Sequence, residues 1–77
     1  MKITLEYLGF LKIESIQSGS VVDVPDGSTA ASILDMCKLN GSYRKYIVPI
    51  INGERTSHDQ VLKEGDRMFI YLPVGGG

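Results

Sequence analysis

Leu62-Lys63-Glu64-Gly65-Asp66-Arg67-Met68-Phe69-Ile70-Tyr71-Leu72-Pro73-Val74-Gly75-Gly76-Gly77 is the stretch on which the reading of this sequence turns. Gly65-Asp66 is a turn signal. Residues 67–72 then read as a strand in which Met68, Ile70 and Leu72 share one face and Phe69 and Tyr71 the other. The three glycines that follow bury no side chain and lose much backbone entropy on ordering, so they extend a packed strand poorly. The expected arrangement is a domain over residues 1–73 and a flexible glycine tail over residues 74–77. Fully extended, that tail spans roughly 13–14 Å. Lacking Cβ atoms at its last three positions, it threads channels too narrow for other residues, and it carries the Gly77 carboxylate at its tip. On the tail alone, a frayed terminus without a role is an equal alternative.

Working back from this stretch, Ile47-Val48-Pro49-Ile50-Ile51 is strand-like, and Pro49 predicts an edge or a bulge. Asn52-Gly53 is a type I′ hairpin signal, and residues 56–61 form a short polar link. At the other end of the chain, Ile3, Leu5 and Tyr7 alternate with Lys2, Thr4 and Glu6, which predicts a half-buried strand over residues 2–8. Residues 10–19 hold either a loop that tucks in an apolar side chain or the start of the next strand, expected at residues 19–24. Pro25-Asp26-Gly27 turns the chain. Ser28 and Thr29 are both suitable N-caps. Ala30, Ile33, Leu34 and Cys37 then line one face of a helix expected over residues 29–39 and stopped by Asn40-Gly41. The regular first and last strands are expected at the sheet centre, parallel to each other, with the helix as cover.

The 77 residues suffice for one small domain, with no internal repeat or linker. With 43% hydrophobic and 22% charged residues, the chain has the balance of a globular protein. Eight basic and nine acidic residues leave a net charge of −1, against the basic stripe that a nucleic-acid binder needs. Ser42-Tyr43-Arg44-Lys45-Tyr46 has the residue types that stack on RNA, but two basic residues in a near-neutral domain argue against that use. No apolar run approaches the roughly 20 residues that span a bilayer, and Met1 leads directly into a strand pattern, so the expected location is the cytoplasm. Cys37 stands alone and reads as a small buried hydrophobe. His58, the single histidine, lies beside Asp59 without a nucleophile or further ligands and reads as a surface residue. No nucleophile–base pair, carboxylate pair or metal-ligand cluster appears, so an enzyme in its own right is not expected.

The β-β-α-β-β order in under 80 residues, the Leu62-x-x-Gly65-Asp66 run before the last strand, and the Pro73-Val74-Gly75-Gly76-Gly77 ending together resemble the ubiquitin-like β-grasp sulfur carriers (MoaD/ThiS): the molybdopterin synthase small subunit and the thiamine-thiazole sulfur carrier. The resemblance spans the chain and is strongest from Ile51-Asn52-Gly53 onward. It implies an α+β, β-grasp (ubiquitin-like) fold with a mixed four- to five-stranded sheet and one helix packed on one face. It also implies a carrier rather than an enzyme, with no tightly bound cofactor and with ATP used by the activating enzyme. A ubiquitin-activating-type adenylyltransferase converts the last carboxylate to an acyl-adenylate. Sulfur displaces AMP, and the resulting thiocarboxylate donates sulfur in a partner active site.

On this chain the resemblance makes Gly77 the modified residue and Val74, Gly75, Gly76 and Gly77 the tail that enters the partner. Gly76 keeps the reacting carbonyl unobstructed, and Gly75 occupies a variable position. Phe69, Tyr71 and Pro73 become the partner-binding residues. The alternative for the two rings is shielding by the chain's own residues 10–19. An apolar partner-contact residue expected near Arg55 is missing. The implied acceptor is the molybdopterin synthase large subunit or thiazole synthase, with no nucleic acid and no membrane. About a dozen residues between the first two strands favour the molybdopterin side, whereas Val74-Gly75-Gly76-Gly77 is also a thiazole-carrier ending. A protein modifier joined through Gly77 to lysines shares the same adenylate chemistry.

Overall fold

The computed structural model describes residues 1–8, 11 and 13–73. The expected tail, including the Gly77 modification site, lies outside the described residues, as do Gly9, Phe10 and Lys12. Five strands are found among the described residues: β1 (Lys2–Tyr7), β2 (Ser20–Asp23), β3 (Val48–Ile51), β4 (Glu54–Arg55) and β5 (Arg67–Tyr71). They form one mixed sheet in the order β2-β1-β5-β3-β4. As expected, β1 and β5 pair in parallel at the centre, and the other neighbours are antiparallel.

One face of the sheet is covered by the helix α1 (Ala30–Met36). Ile3 and Leu5 of β1, Met68 and Ile70 of β5, and Ala30, Ile33 and Leu34 of α1 join in a single buried cluster. Each fully buried Ile, Leu or Met contributes roughly 1.5–3 kcal/mol relative to exposure, so this cluster carries most of a small domain's stability. Leu11 and Ile13 belong to it as well, which settles the 10–19 ambiguity in favour of a loop that tucks apolar side chains inward.

The helix is shorter than its apolar pattern predicts, for reasons that lie at its ends. Thr29 is the N-cap: its hydroxyl accepts from the Ser32 amide at 3.2 Å, and the Ser32 hydroxyl accepts from the Thr29 amide at 2.8 Å. Ser28 instead donates its hydroxyl to the Pro25 carbonyl at 2.6 Å. The stop is Lys38 and not Asn40-Gly41. Lys38 is left-handed (φ 61°), its amide donates to Asp35 O, and the Leu39 amide donates to Leu34 O, both at 3.0 Å. This is a Schellman closure. It sends Leu39 back into the core, where it is buried, and that burial together with two satisfied carbonyls offsets the roughly 1–2 kcal/mol of a non-glycine residue in this conformation.

Two further expectations need correction. Strand β3 is interior to the sheet order, although Pro49 predicts an edge or a bulge. The sheet tolerates Pro49 because its carbonyl, and therefore its missing N–H, points away from β5. The two-residue β4 does not reach it, and the Thr56 amide donates to the Pro49 carbonyl at 2.9 Å. His58 is half-buried, not a free surface residue, and its Nε2 donates to the Ile47 carbonyl at 2.7 Å. The polar connector at residues 42–46 forms a 3-10 helix (Ser42–Tyr46), held to α1 by Arg44, which ion-pairs with Asp35 and donates to Ala31 O at 3.1 Å.

Candidate functional site

The alternation along β5 separates two environments. Met68 and Ile70 are 0% exposed beneath α1, whereas Phe69 and Tyr71 are half-buried on the opposite, helix-free face. Their rings pack at a centroid distance of 6.5 Å and a tilt of 41°. Register places Glu6 and Ile50 on either side of Phe69, and Val48 beside Tyr71. One further step along the β1–β5 pairing brings the exposed Leu8 to the level of Tyr71. The result is an apolar strip bounded by Glu6 on one side and, through the Ile50–Arg55 pair, by Arg55 on the other. Beside it, Thr4, Glu6, Asn52, Gly65, Arg67 and Phe69 line part of a shallow groove of about 700 Å³.

Among the described residues of the 10–19 segment, none supplies the shield considered for these rings; Phe10 and Lys12 lie outside the described residues. Leu11 and Ile13 enter the helix-side core, and Glu14, Ser15 and Ile16 lie against the end of α1 at Met36, Cys37 and Lys38. The Tyr7 hydroxyl donates to the Ile16 carbonyl and ties this loop down. Leu72 packs partly against the core, and Pro73 is exposed where the chain leaves the sheet. Arg55 is exposed on the edge strand β4, so the strip ends there in a charge.

At the opposite end of β5 the Leu62-x-x-Gly65-Asp66 run acquires a physical explanation. Leu62 is in the core, and Gly65 takes a left-handed turn (φ 84°) that a side chain would strain. The buried Asp66 carboxylate accepts from the Lys63 amide and from Asn52 Nδ2, each at 2.8 Å. Asn52 Oδ1 in turn accepts from the Arg67 amide at 3.0 Å, and Thr4 N donates to Asp66 O at 2.9 Å. The hairpin turn after β3, the start of β5 and β1 are thereby locked in register. Sequence reasoning singled out Asn52-Gly53 and Gly65-Asp66 separately and missed that the two turns bond to each other. The available signal was a short polar side chain adjoining the glycine of each turn.

Cys37 is buried, and burial pushes its thiol up from 9.0 to about 11, which removes the thiolate at neutral pH. Among the described residues no group of three or more His, Cys, Asp or Glu side chains is placed to hold a metal ion. No described helix is long and apolar enough to cross a membrane.

A family model for the ThiS family matches residues 8–77. The chain belongs to the ThiS family. No curated protein matches the sequence. Solved structures place this ThiS-family chain among related folds. SAMP1 from Haloferax volcanii superposes with a TM-score of 0.72 at 20% identity, each chain covered completely. A putative molybdopterin converting factor, subunit 1, from Pyrococcus furiosus gives 0.70 at 20% identity, over 95% of this chain and 98% of that one. The thiamine biosynthesis protein ThiS from Geobacter metallireducens gives 0.68 at 20% identity, with both chains fully covered. At this identity the likeness establishes the β-grasp fold alone.

Proposed function

We propose that this ThiS-family chain is a sulfur carrier whose Gly77 carboxylate is charged by one partner and discharged in another. The observation that carries the reading is the coupling of the family match, which runs to residue 77, to a strand held on both sides. Strand β5 sits between β1 and β3 and delivers the chain to an exposed Pro73. A carboxylate with a pKa of about 3.5 is ionised at neutral pH and is a poor electrophile. In the proposed first step, an adenylyltransferase attaches AMP from ATP to the Gly77 carboxylate and releases pyrophosphate. Sulfide then displaces AMP and leaves a thiocarboxylate; a persulfide instead displaces AMP to form an acyl disulfide, and a second thiol of the sulfur donor attacks its S–S bond, releasing the thiocarboxylate and forming a disulfide. The apolar strip at Phe69 and Tyr71, continued by Pro73, supplies the body contact, and the tail supplies reach.

The finer reading is delivery of sulfur to a molybdopterin precursor, supported by the twelve residues between Tyr7 and Ser20. Delivery to a thiazole precursor is the second reading, favoured by the ThiS-family match and the Val74-Gly75-Gly76-Gly77 ending. Intact-mass measurement of the protein purified from its native cell tests the carrier chemistry. Replacement of one oxygen by one sulfur at Gly77 supports it. A branched Gly-Gly remnant on lysines of other proteins, with no sulfur on the free chain, replaces it with conjugation. Deleting the molybdopterin synthase large subunit or thiazole synthase in that cell, and asking which deletion makes the thiocarboxylate form accumulate, separates the two pathways.

A further inference from the structure

We infer that the 3-10 helix (Ser42–Tyr46) is a second contact surface, built to meet an acidic rim around the partner channel that receives the tail. The inference rests on the carrier reading above. Strand β3 runs antiparallel to β5 with Val48 opposite Tyr71. Ile47 therefore stands at the level of Leu72, and the 3-10 helix just before it lies at the end of the sheet from which the chain departs.

Composition supplies the second element. Residues 36–53 contain Lys38, Arg44 and Lys45 and no carboxylate, in a chain whose net charge is −1. Arg44 is committed to Asp35 and Ala31 O and acts as the anchor. Among the described residues Lys38 and Lys45 pair with no carboxylate.

Presentation is the third. In a 3-10 helix, residues three apart lie one above the other, which puts Tyr43 and Tyr46 on a common side. Tyr46 is 60% exposed, with the Lys45 ammonium 5.4 Å from its ring centroid. Tyr43 lies so close over Gly41 that a Cβ there would sit 2.5 Å from its ring, so glycine is needed for that ring position. Exposed tyrosines beside a lysine that has no carboxylate partner among the described residues have the composition of an interface anchor. Three cations are too few to draw appreciable affinity from counterion release on RNA, whereas opposite charge around a protein channel steers a tail-bearing body into register.

The test uses the full chain and its cognate adenylating enzyme, with ATP–pyrophosphate exchange as the readout. Lys45→Glu and Tyr46→Ala are each expected to raise KM for the carrier about tenfold with kcat unchanged, and Lys45→Glu, which reverses a charge, also to flatten its dependence on ionic strength. Both residues are exposed, and thermal melting of each variant checks that the fold is kept. Unaltered KM in both variants, with the wild type adenylated normally, overturns the contact surface and leaves the carrier reading standing. Failure of the wild type to support exchange overturns both. Tighter binding of a single-stranded RNA oligonucleotide than of the enzyme, lost in Lys45→Glu, assigns the surface to nucleic acid and also overturns the inference.

Discussion

The two faces of the sheet follow the same alternating strand pattern but differ in what covers them. Beneath α1, Ile3, Leu5, Met68 and Ile70 are sealed from water. On the other face, Phe69, Tyr71, Val48 and Ile50 are half-covered, and no helix crosses them among the described residues. The covered face accounts for cohesion. The open face keeps apolar surface, bracketed by Glu6 and Arg55, and under the proposed function it is the face that meets a partner. Neighbouring residues of one strand therefore answer to different demands, and substitutions one position apart separate them.

The largest expected effect is on the covered side. Ile70→Ala removes a fully buried side chain and is expected to lower stability by about 3 kcal/mol in urea unfolding. One position away, Phe69→Ala is expected to cost about 1 kcal/mol of stability. Under the proposed function its main effect is a loss of about 2 kcal/mol, roughly thirtyfold, in affinity for the adenylating enzyme, measured by titration. Equal losses of stability and affinity in both variants would erase the distinction between the faces.

A third difference is chemical. Because the folded Cys37 thiol ionises at about 11 instead of 9.0, folding favours the protonated form. The stability this contributes is complete below pH 9.0 and is lost as pH rises toward and through about 11. Wild type and Cys37→Ala should therefore converge in stability across that window, and thiol-reagent labelling at pH 8 should be slow until urea unfolds the chain. The smallest effect is at the helix end, where Lys38→Gly relieves the left-handed strain and is expected to raise stability by about 0.5 kcal/mol in the same urea assay.

Much of this architecture was legible because period-two and period-3.6 patterns are direct consequences of burial on one face. The alternation of Ile3-Leu5 and Met68-Ile70 predicts the central parallel pair, and Ala30-Ile33-Leu34 predicts the helix and its buried side. What escaped was decided by partners that a segment's own residue pattern does not announce. Glu54-Arg55 is too short and polar to announce a strand and pairs only because Asn52-Gly53 folds it back on β3. His58 has no local reason to be half-buried, since its partner carbonyl belongs to Ile47. Asn40-Gly41 is the better local helix stop, yet the core takes Leu39 and moves the left-handed residue to Lys38. On the open face, residue parity placed Phe69 and Tyr71 correctly, but parity does not foretell the Asn52–Asp66 bond that fixes the strand on which they stand.

The parallel seam between Lys2–Tyr7 and Arg67–Tyr71 has a consequence for biogenesis. The strand that completes the middle of the sheet is the last of the five to emerge during synthesis, and its partners β1 and β3 have only hairpin neighbours until it arrives. Pairing strands this far apart in sequence makes closure of the seam slow compared with the two hairpins. A ribosome-stalled product lacking β5 has no seam to close, so under the proposed function Gly77 is charged only on a chain whose sheet is already complete.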